Sequence, residues 1–137
     1  MWTHITAQLN VPDLEQALEW YRVHLGCRIA WRSDDRSYGA VYNGTTELFF
    51  HESRPGAKAP NVDEPSTAGT VLCIRVPDVE AVRAAAREAE IPVESELAEK
   101  PWQMREFEIR DPWGHRLRIG QSTLHGTASA PVEPAGG

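Results

Sequence analysis

The sequence predicts an α+β fold made of two tandem βαβββ modules, and three observations carry this prediction. The segment LNVPDLEQAL at 9–18 recurs as IRVPDVEAVR at 74–83, with Val-Pro-Asp at the same place in both copies. In each copy an alternating apolar run precedes Val-Pro-Asp, and a helical pattern follows it. Three strand-like stretches follow each predicted helix. The modules are therefore expected to form a curved mixed sheet around a cup, which is the expected ligand site.

The two predicted helices are justified by the residues at their ends. Asp13 and Asp78 suit the N-cap, because a carboxylate there accepts hydrogen bonds from the free amides of the first turn. The first helix is expected at 13–25 and is followed by Gly26, which supplies a left-handed stop. The second is expected at 78–90 and lacks a terminal glycine, so a nearby proline limits its length instead.

The strands are predicted from alternating apolar and polar residues between turn signals. Asn43-Gly44 is a strong hairpin signal. Asp-Pro-Trp-Gly at 111–114 suits a type I turn, with proline second and glycine fourth. The predicted strands are 4–11, 27–34, 37–42 and 45–51 in module one, and 71–76, 93–98, 103–110 and 115–120 in module two.

Chain length and charge bound the class of protein. A chain of 137 residues is one ordinary domain. Its net charge of -6 argues against nucleic acid as a partner, because such binding depends on basic surface that neutralises phosphates. The assigned boundaries are a single domain at 1–121, with module one at 1–52, a linker at 53–67 and module two at 68–121, and then a mobile tail at 122–137.

A cytoplasmic location is expected from what the chain lacks. No apolar run reaches the roughly 18 residues that span a bilayer, so no membrane association is expected. The N-terminus has no basic segment followed by an apolar one, as a signal peptide would. Cys27 and Cys73 belong to no CxxC pair, and both are expected to be small buried apolar residues.

Strand alternation sorts the side chains between the helix face and the cup face of each sheet. Arg116 and Arg118 are thereby expected on the cup face among acidic side chains, and the alternative is a solvated face with ordinary ion pairs. The positions expected under the helices are Ile5, Ala7, Leu9, Val11, Leu48, Phe50, Leu72, Ile74, Val76, Phe107, Ile109, Leu117 and Ile119. The positions expected in the cup are His4, Thr6, Gln8, Asn10, Glu47, Phe49, His51, Val71, Cys73, Arg75, Glu106, Glu108, Arg116 and Arg118.

The doubled unit, with V-P-D-[LV]-E in each half and the closing D-P-x-G turn, resembles the vicinal oxygen chelate superfamily over about 4–121. The superfamily includes glyoxalases, extradiol dioxygenases, fosfomycin-resistance enzymes and bleomycin-resistance proteins. The resemblance places metal ligands at positions that here are Thr6, Val71, Arg118 and Glu47. Only Glu47 is a ligand type, and a guanidinium at about 4 Å would oppose a divalent ion by about 8 kcal/mol at an effective dielectric of about 20. No metal or other cofactor is therefore expected; a displaced site at His4, Glu47 and His51 is the alternative.

Within the superfamily, EKPWQMREFEIRDPWGHRLRIG at 99–120 is most similar to bleomycin-resistance proteins. That resemblance implies an intertwined homodimer that binds a drug without metal or catalysis and stacks aromatic rings on it. Trp113 and His115 depart from the family pattern and are expected to be surface variation at the turn. The implied ligand-binding residues are Trp31, Asp34, Tyr38, Glu47, Phe49, Trp102, Glu106, Arg116 and Arg118.

The predicted function is sequestration of a bleomycin-type or similar planar cationic antibiotic, which confers resistance. No catalytic residue is assigned, because the chain has no G-x-S-x-G, H-E-x-x-H or phosphate-binding glycine loop. Two alternatives remain open. One is an enzyme of the same fold, such as a metal-dependent lyase or dioxygenase or a metal-free isomerase, and the other is a small-molecule carrier of unknown ligand.

Overall fold

The computed structural model of the chain describes residues 1–53 and 70–124. These residues form two compact units, each built on one βαβββ module with a mixed four-stranded sheet, so the predicted fold class is confirmed. The predicted linker lies outside the described residues except at 53, and the predicted tail except at 122–124. Among the described residues, the first unit comprises 1–53 and 112–115, and the second comprises 70–111 and 116–124.

Module one has the strand order β1-β4-β3-β2. The first strand joins the last one in parallel, and the remaining pairs are antiparallel. The parallel pair is possible because α1 and two further strands form the crossover between them. The elements are β1 (Ala7–Val11), α1 (Leu14–Leu25), β2 (Arg28–Arg32), β3 (Tyr38–Asn43) and β4 (Thr46–Glu52).

Helix α1 has the capping residues that the sequence predicts. Asp13 accepts a hydrogen bond from the Gln16 amide at 3.0 Å, and Gly26 closes the helix with φ 69°. The buried face of α1 lies on β3 and β4, where the Tyr21 and Phe50 rings are 4.9 Å apart. This packing leaves the opposite face of the sheet as the open face of module one.

Module two repeats the topology with the strand order β5-β8-β7-β6. Its first and last strands are again parallel, so the last strand to be reached along the chain lies inside the sheet. The elements are β5 (Val71–Arg75), α2 (Val79–Glu88), β6 (Val93–Lys100), β7 (Met104–Arg110) and β8 (Arg116–Ser122).

Helix α2 begins as predicted and ends without a glycine. Asp78 accepts from the Ala81 amide at 3.1 Å, and the Gln121 side chain accepts from the Val79 amide at 2.9 Å. At the other end, Glu90 takes the left-handed conformation with φ 57°, where module one uses Gly26. The helix is buried against the face of the sheet that carries Phe107, since the Arg83 guanidinium lies over that ring.

Two details of module one differ from the predictions. Strand β1 begins at Ala7, so Ile5 lies before the sheet and is 78% exposed, and His4 is exposed as well. Alternation cannot show where pairing starts, and here β4 reaches only Ala7, through Leu48. The β3–β4 turn consists of Gly44 and Thr45, because Asn43 still pairs with Thr46; Gly44 has φ 60°, as the first residue of a II′ turn requires.

Besides Ile5, three further burial predictions are wrong. Trp113 and His115 are 9% and 6% exposed, so they are buried residues of the 111–114 turn region and not surface variation. Trp113 meets the Trp20 ring edge-on at 6.2 Å, which explains why a large aromatic is kept in this turn. Cys73 is exposed because its strand position points to the open face, whereas Cys27 is buried as predicted.

No helix among the described residues is long and apolar enough to cross a membrane.

Candidate functional site

The open face of module one gathers an aromatic and acidic cluster. An irregularity between Ile29 and Trp31 shifts the register of β2, so Trp31 pairs with Ala40 on β3. Ala40 pairs in turn with Phe49 on β4, and the Trp31 and Phe49 rings are 5.5 Å apart in an edge-on arrangement. The small side chain of Ala40 lets the two rings approach across β3.

Glu47 is the acidic member of this cluster. The indole Nε1 of Trp31 donates to Glu47 Oε2 at 3.4 Å. The Tyr42 hydroxyl also donates to Glu47, and this bond raises the pKa of Tyr42. Glu47 is therefore held in place beside an indole ring that is 40% exposed.

Tyr38 and the acidic loop lie further along the same module. The Tyr38 ring stacks on His51 with centroids 4.4 Å apart and an angle of 26° between the planes. Asp34 is exposed in the loop before β3. Its neighbour Asp35 accepts from the hydroxyls of Ser37 and Ser33, which lowers the pKa of Asp35 to about 2.

The positions at which the resemblance places metal ligands do not fit a metal. Val71 offers no lone pair, and Thr6 lies before the start of β1. Arg118 carries a permanent positive charge, which opposes a divalent ion, and its guanidinium lies 3.4 Å from Glu108. The displaced alternative is not assembled either, because the His51 ring is stacked on Tyr38 and His4 precedes the sheet. Within residues 1–53 and 70–124, no group of three His, Cys, Asp or Glu side chains is arranged to hold an ion.

The open face of module two carries a buried charged row. Arg116 donates twice to Glu108, from Nε at 3.1 Å and from Nη2 at 3.3 Å. Arg118 donates from Nη2 to the same carboxylate at 3.4 Å. Glu108 and Arg116 are both buried, so the predicted meeting of arginines and glutamates on this face is a structural core feature of module two.

A small pocket of ≈ 90 Å³ opens next to this row. Trp102 stands at its edge in the turn before β7, with 57% of its surface exposed. The turn is closed by Gln103, which has φ 62° and accepts at its carbonyl from the Thr123 amide at 2.9 Å. The lining residues are Ser95, Lys100, Trp102, Glu106, Phe107, Glu108 and Arg118.

Residues 3–119 match the model of the Glyoxalase/Bleomycin resistance protein/Dioxygenase superfamily. The chain belongs to this superfamily. Members of the glyoxalase superfamily share a fold rather than one chemistry, so the site has to be argued from its residues.

Solved structures of several kinds of protein are similar to the chain. TioX from Micromonospora sp. ML1 has 20% identity and a TM-score of 0.69, over 87% of this chain and 98% of that one. A lactoylglutathione lyase from Agrobacterium tumefaciens has 21% identity and a TM-score of 0.66, over 90% and 96%. A bleomycin resistance determinant encoded on the transposon Tn5 has 21% identity and a TM-score of 0.69, over 90% and 100%. At these identities the likeness shows the fold alone, and no curated protein matches the sequence.

The structure sorts the predicted site residues into two groups. Trp31, Glu47 and Phe49 come together in module one, and Trp102, Glu106 and Arg118 line the pocket of module two. Other predicted residues have structural partners instead: Arg116 is held by Glu108, and Tyr38 is stacked on His51. The predictions missed Tyr42, Ser95 and Lys100. Alternation along β3 could have placed Tyr42 on the open face. Lys100 could not be placed in the same way, because the predicted strand ends at residue 98 and β6 extends to Lys100.

Proposed function

We propose that this protein binds and sequesters a planar, cationic small molecule, with bleomycin-type antibiotics as the first class to test. The observation that carries the proposal is Trp102, a largely exposed indole at the edge of a pocket that contains Glu106. A large exposed aromatic beside a concave polar pocket is typical of ligand sites. The pocket contains no activated nucleophile, and the proposal assigns no chemistry to it.

Ring stacking supports this role. A planar heteroaromatic ligand stacked on Trp102 gains about 0.5–1.5 kcal/mol beyond the area that it buries. Trp31 offers a second exposed ring, with Glu47 held 3.4 Å from its indole nitrogen. A cation over an indole beside a carboxylate is stabilised by both groups. The carboxylate-rich surface, with a net charge of -6, also favours a cationic ligand over an anionic one.

Assignment to the bleomycin-resistance type is supported by the sequence of 99–120, in which Pro-Trp precedes Arg-Glu-Phe before the Asp-Pro-x-Gly turn. The same assignment implies a cytoplasmic homodimer. Sedimentation of the purified protein tests whether it is a dimer. A monomer at micromolar concentration would argue against the intertwined arrangement.

Isothermal titration with bleomycin-class compounds tests the binding role. We expect saturable binding that Trp102→Ala weakens about tenfold, the equivalent of about 1.4 kcal/mol. Trp2→Ala is the matched control, because Trp2 is 84% exposed and lies before β1. Absence of heat across the class, or equal loss in both variants, would overturn the drug assignment.

A further inference from the structure

Two neighbouring carboxylates of β7 differ sharply in their hydrogen bonds. Glu108 is bonded at both oxygens, to Arg116 at 3.1 and 3.3 Å and to Arg118 at 3.4 Å. Glu106 is equally buried, at 6% exposure, yet it accepts no hydrogen bond from the part of the chain that the structure describes. Its nearest cation is Arg118, whose Nε lies 3.9 Å from Oε1, beyond hydrogen-bond distance.

The sheet register explains why Glu106 is left without a donor. Its neighbours on the adjacent strands are Gly120 on β8 and Ala98 on β6, and neither has a polar side chain. A Cβ at Gly120 would lie 2.8 Å from the Met104 methyl and 3.3 Å from Glu106 Oε2. Glycine at 120 therefore leaves room for the Glu106 carboxylate to lie against the strand.

Buried polar groups are normally satisfied by protein, water or ligand, and the Glu106 oxygens are reachable from the pocket, since no Glu106 atom is both sealed from solvent and without a partner. Glu106 lines the pocket together with Arg118, whose Nη2 alone is used by Glu108. The pocket thus presents an acceptor and a donor side by side. Trp102 adds an apolar ring at the edge of the same pocket.

We propose that this pocket takes a planar, uncharged headgroup with an amide or lactam edge. Its N–H donates to Glu106, its carbonyl accepts from Arg118, and its plane stacks on Trp102. The inference rests on the proposed ligand-binding role but needs neither a drug nor a cationic ligand; a cationic portion of the same ligand would lie outside this pocket.

Charge favours that class of headgroup. Glu106 and Glu108 are balanced by Arg116 and Arg118, and Lys100 adds a positive charge at the wall, so the pocket gives a bare cation no net attraction. A bare anion would face the unbonded oxygens of Glu106.

Three probes that share one ring test the inference: benzamide, benzamidine and benzoate. Benzamide carries donor and acceptor, benzamidinium only donors, and benzoate only acceptors. The readout is the indole N–H resonance of Trp102 in ¹H–¹⁵N spectra, assigned with Trp102→Phe. We expect benzamide to shift this resonance saturably in the millimolar range, and the charged probes to shift it less. Equal shifts from all three, or none from benzamide, would overturn the proposal.

Glu106→Gln then tests the residue itself. Loss of the charge-assisted bond should weaken benzamide roughly tenfold or more, while the new amide N–H₂ should strengthen benzoate. A purely structural role of Glu106 would not reverse the preference between the two probes. Glu99→Gln is the matched control, because Glu99 is an exposed residue of β6. It should leave the affinities for benzamide and benzoate unchanged.

Failure of this inference is distinguishable from failure of the proposed function. If the protein binds bleomycin-class compounds through Trp102 but does not bind benzamide, the binding role stands and the amide-headgroup proposal is wrong. If the protein binds benzamide through Glu106 but binds no bleomycin-class compound, the amide-headgroup proposal stands and the drug assignment is wrong.

Discussion

Glu108 and Arg116 form a buried bidentate ion pair with side chains only 7% and 9% exposed. The two residues are diagonal neighbours, because the residue directly opposite Glu108 is Arg118 and the one opposite Arg116 is Arg110. Glu108 thereby bridges two arginines of β8, Arg116 and Arg118, and lies between their positive charges. The pair holds the charged row beside the pocket in one arrangement.

Glu108→Gln should destabilise the protein by about 3–5 kcal/mol, because it removes the buried negative charge to which both Arg116 and Arg118 donate. Urea denaturation measures the change. Glu19→Gln is the control: its side chain is 56% exposed and that of its partner Arg22 is 50% exposed, so it should cost much less than Glu108→Gln. Similar midpoints for the two variants would show that the buried pair contributes no more than a surface one.

Gly26→Ala should destabilise the protein by about 1 kcal/mol, because the residue has φ 69° and a Cβ is disfavoured in that conformation. No neighbouring atom would contact the added Cβ within 4 Å, so the cost is conformational. Gly26→Asn should cost less, since asparagine tolerates the left-handed region. Thermal unfolding of both variants checks the order, and an alanine as stable as the asparagine contradicts it.

The two cysteines should react at very different rates with a thiol reagent. Cys73 is exposed, whereas burial raises the pKa of Cys27 and keeps its thiolate scarce near neutral pH. Ellman's reagent should label one thiol quickly in native protein and the second only on unfolding. Cys73→Ser should abolish the fast phase; if Cys27→Ser abolishes it instead, the burial assignment is wrong.

Asp35 should titrate at about pH 2, below its ordinary value of 3.8, because the hydroxyls of Ser37 and Ser33 and the Ser37 amide donate to its carboxylate. A depressed pKa stabilises the native loop above pH 3.8, and this contribution is lost as the pH falls towards 2. Ser37→Ala should raise the pKa of Asp35 towards its ordinary value, as ¹³C carboxyl shifts would show. Thr45→Ala, in a different turn, should leave it unchanged.

Local chemistry explains why so much of the fold can be predicted from the sequence. Asp13, Gly26 and Asp78 act within one turn of the chain, so their capping roles follow from neighbouring residues alone. The start of β1 does not follow in this way, because it depends on how far β4 reaches. The burial of Trp113 could not be predicted either, because it depends on contact with Trp20, which is remote in sequence.

The candidate site shows the same division. Alternation alone places Glu106 and Glu108 together on the open face. Which of the two is bonded depends on the partners across β8, and only the register reveals that Glu106 lies opposite Gly120. Glu106 and Glu108 therefore differ in their hydrogen bonds because of the residues opposite them on β8, and the register of β8 cannot be read from the local sequence.

The parallel pairing of β5 with β8 sets an order of events during synthesis on the ribosome. The module-one sheet has all its strands once residue 52 has left the exit tunnel. Strand β5 then emerges with no partner and stays unpaired until residues 116–122 follow it. A ribosome that pauses before that point holds a nascent chain with one complete sheet and one incomplete sheet, whose unpaired strand edges are open to chaperones and proteases.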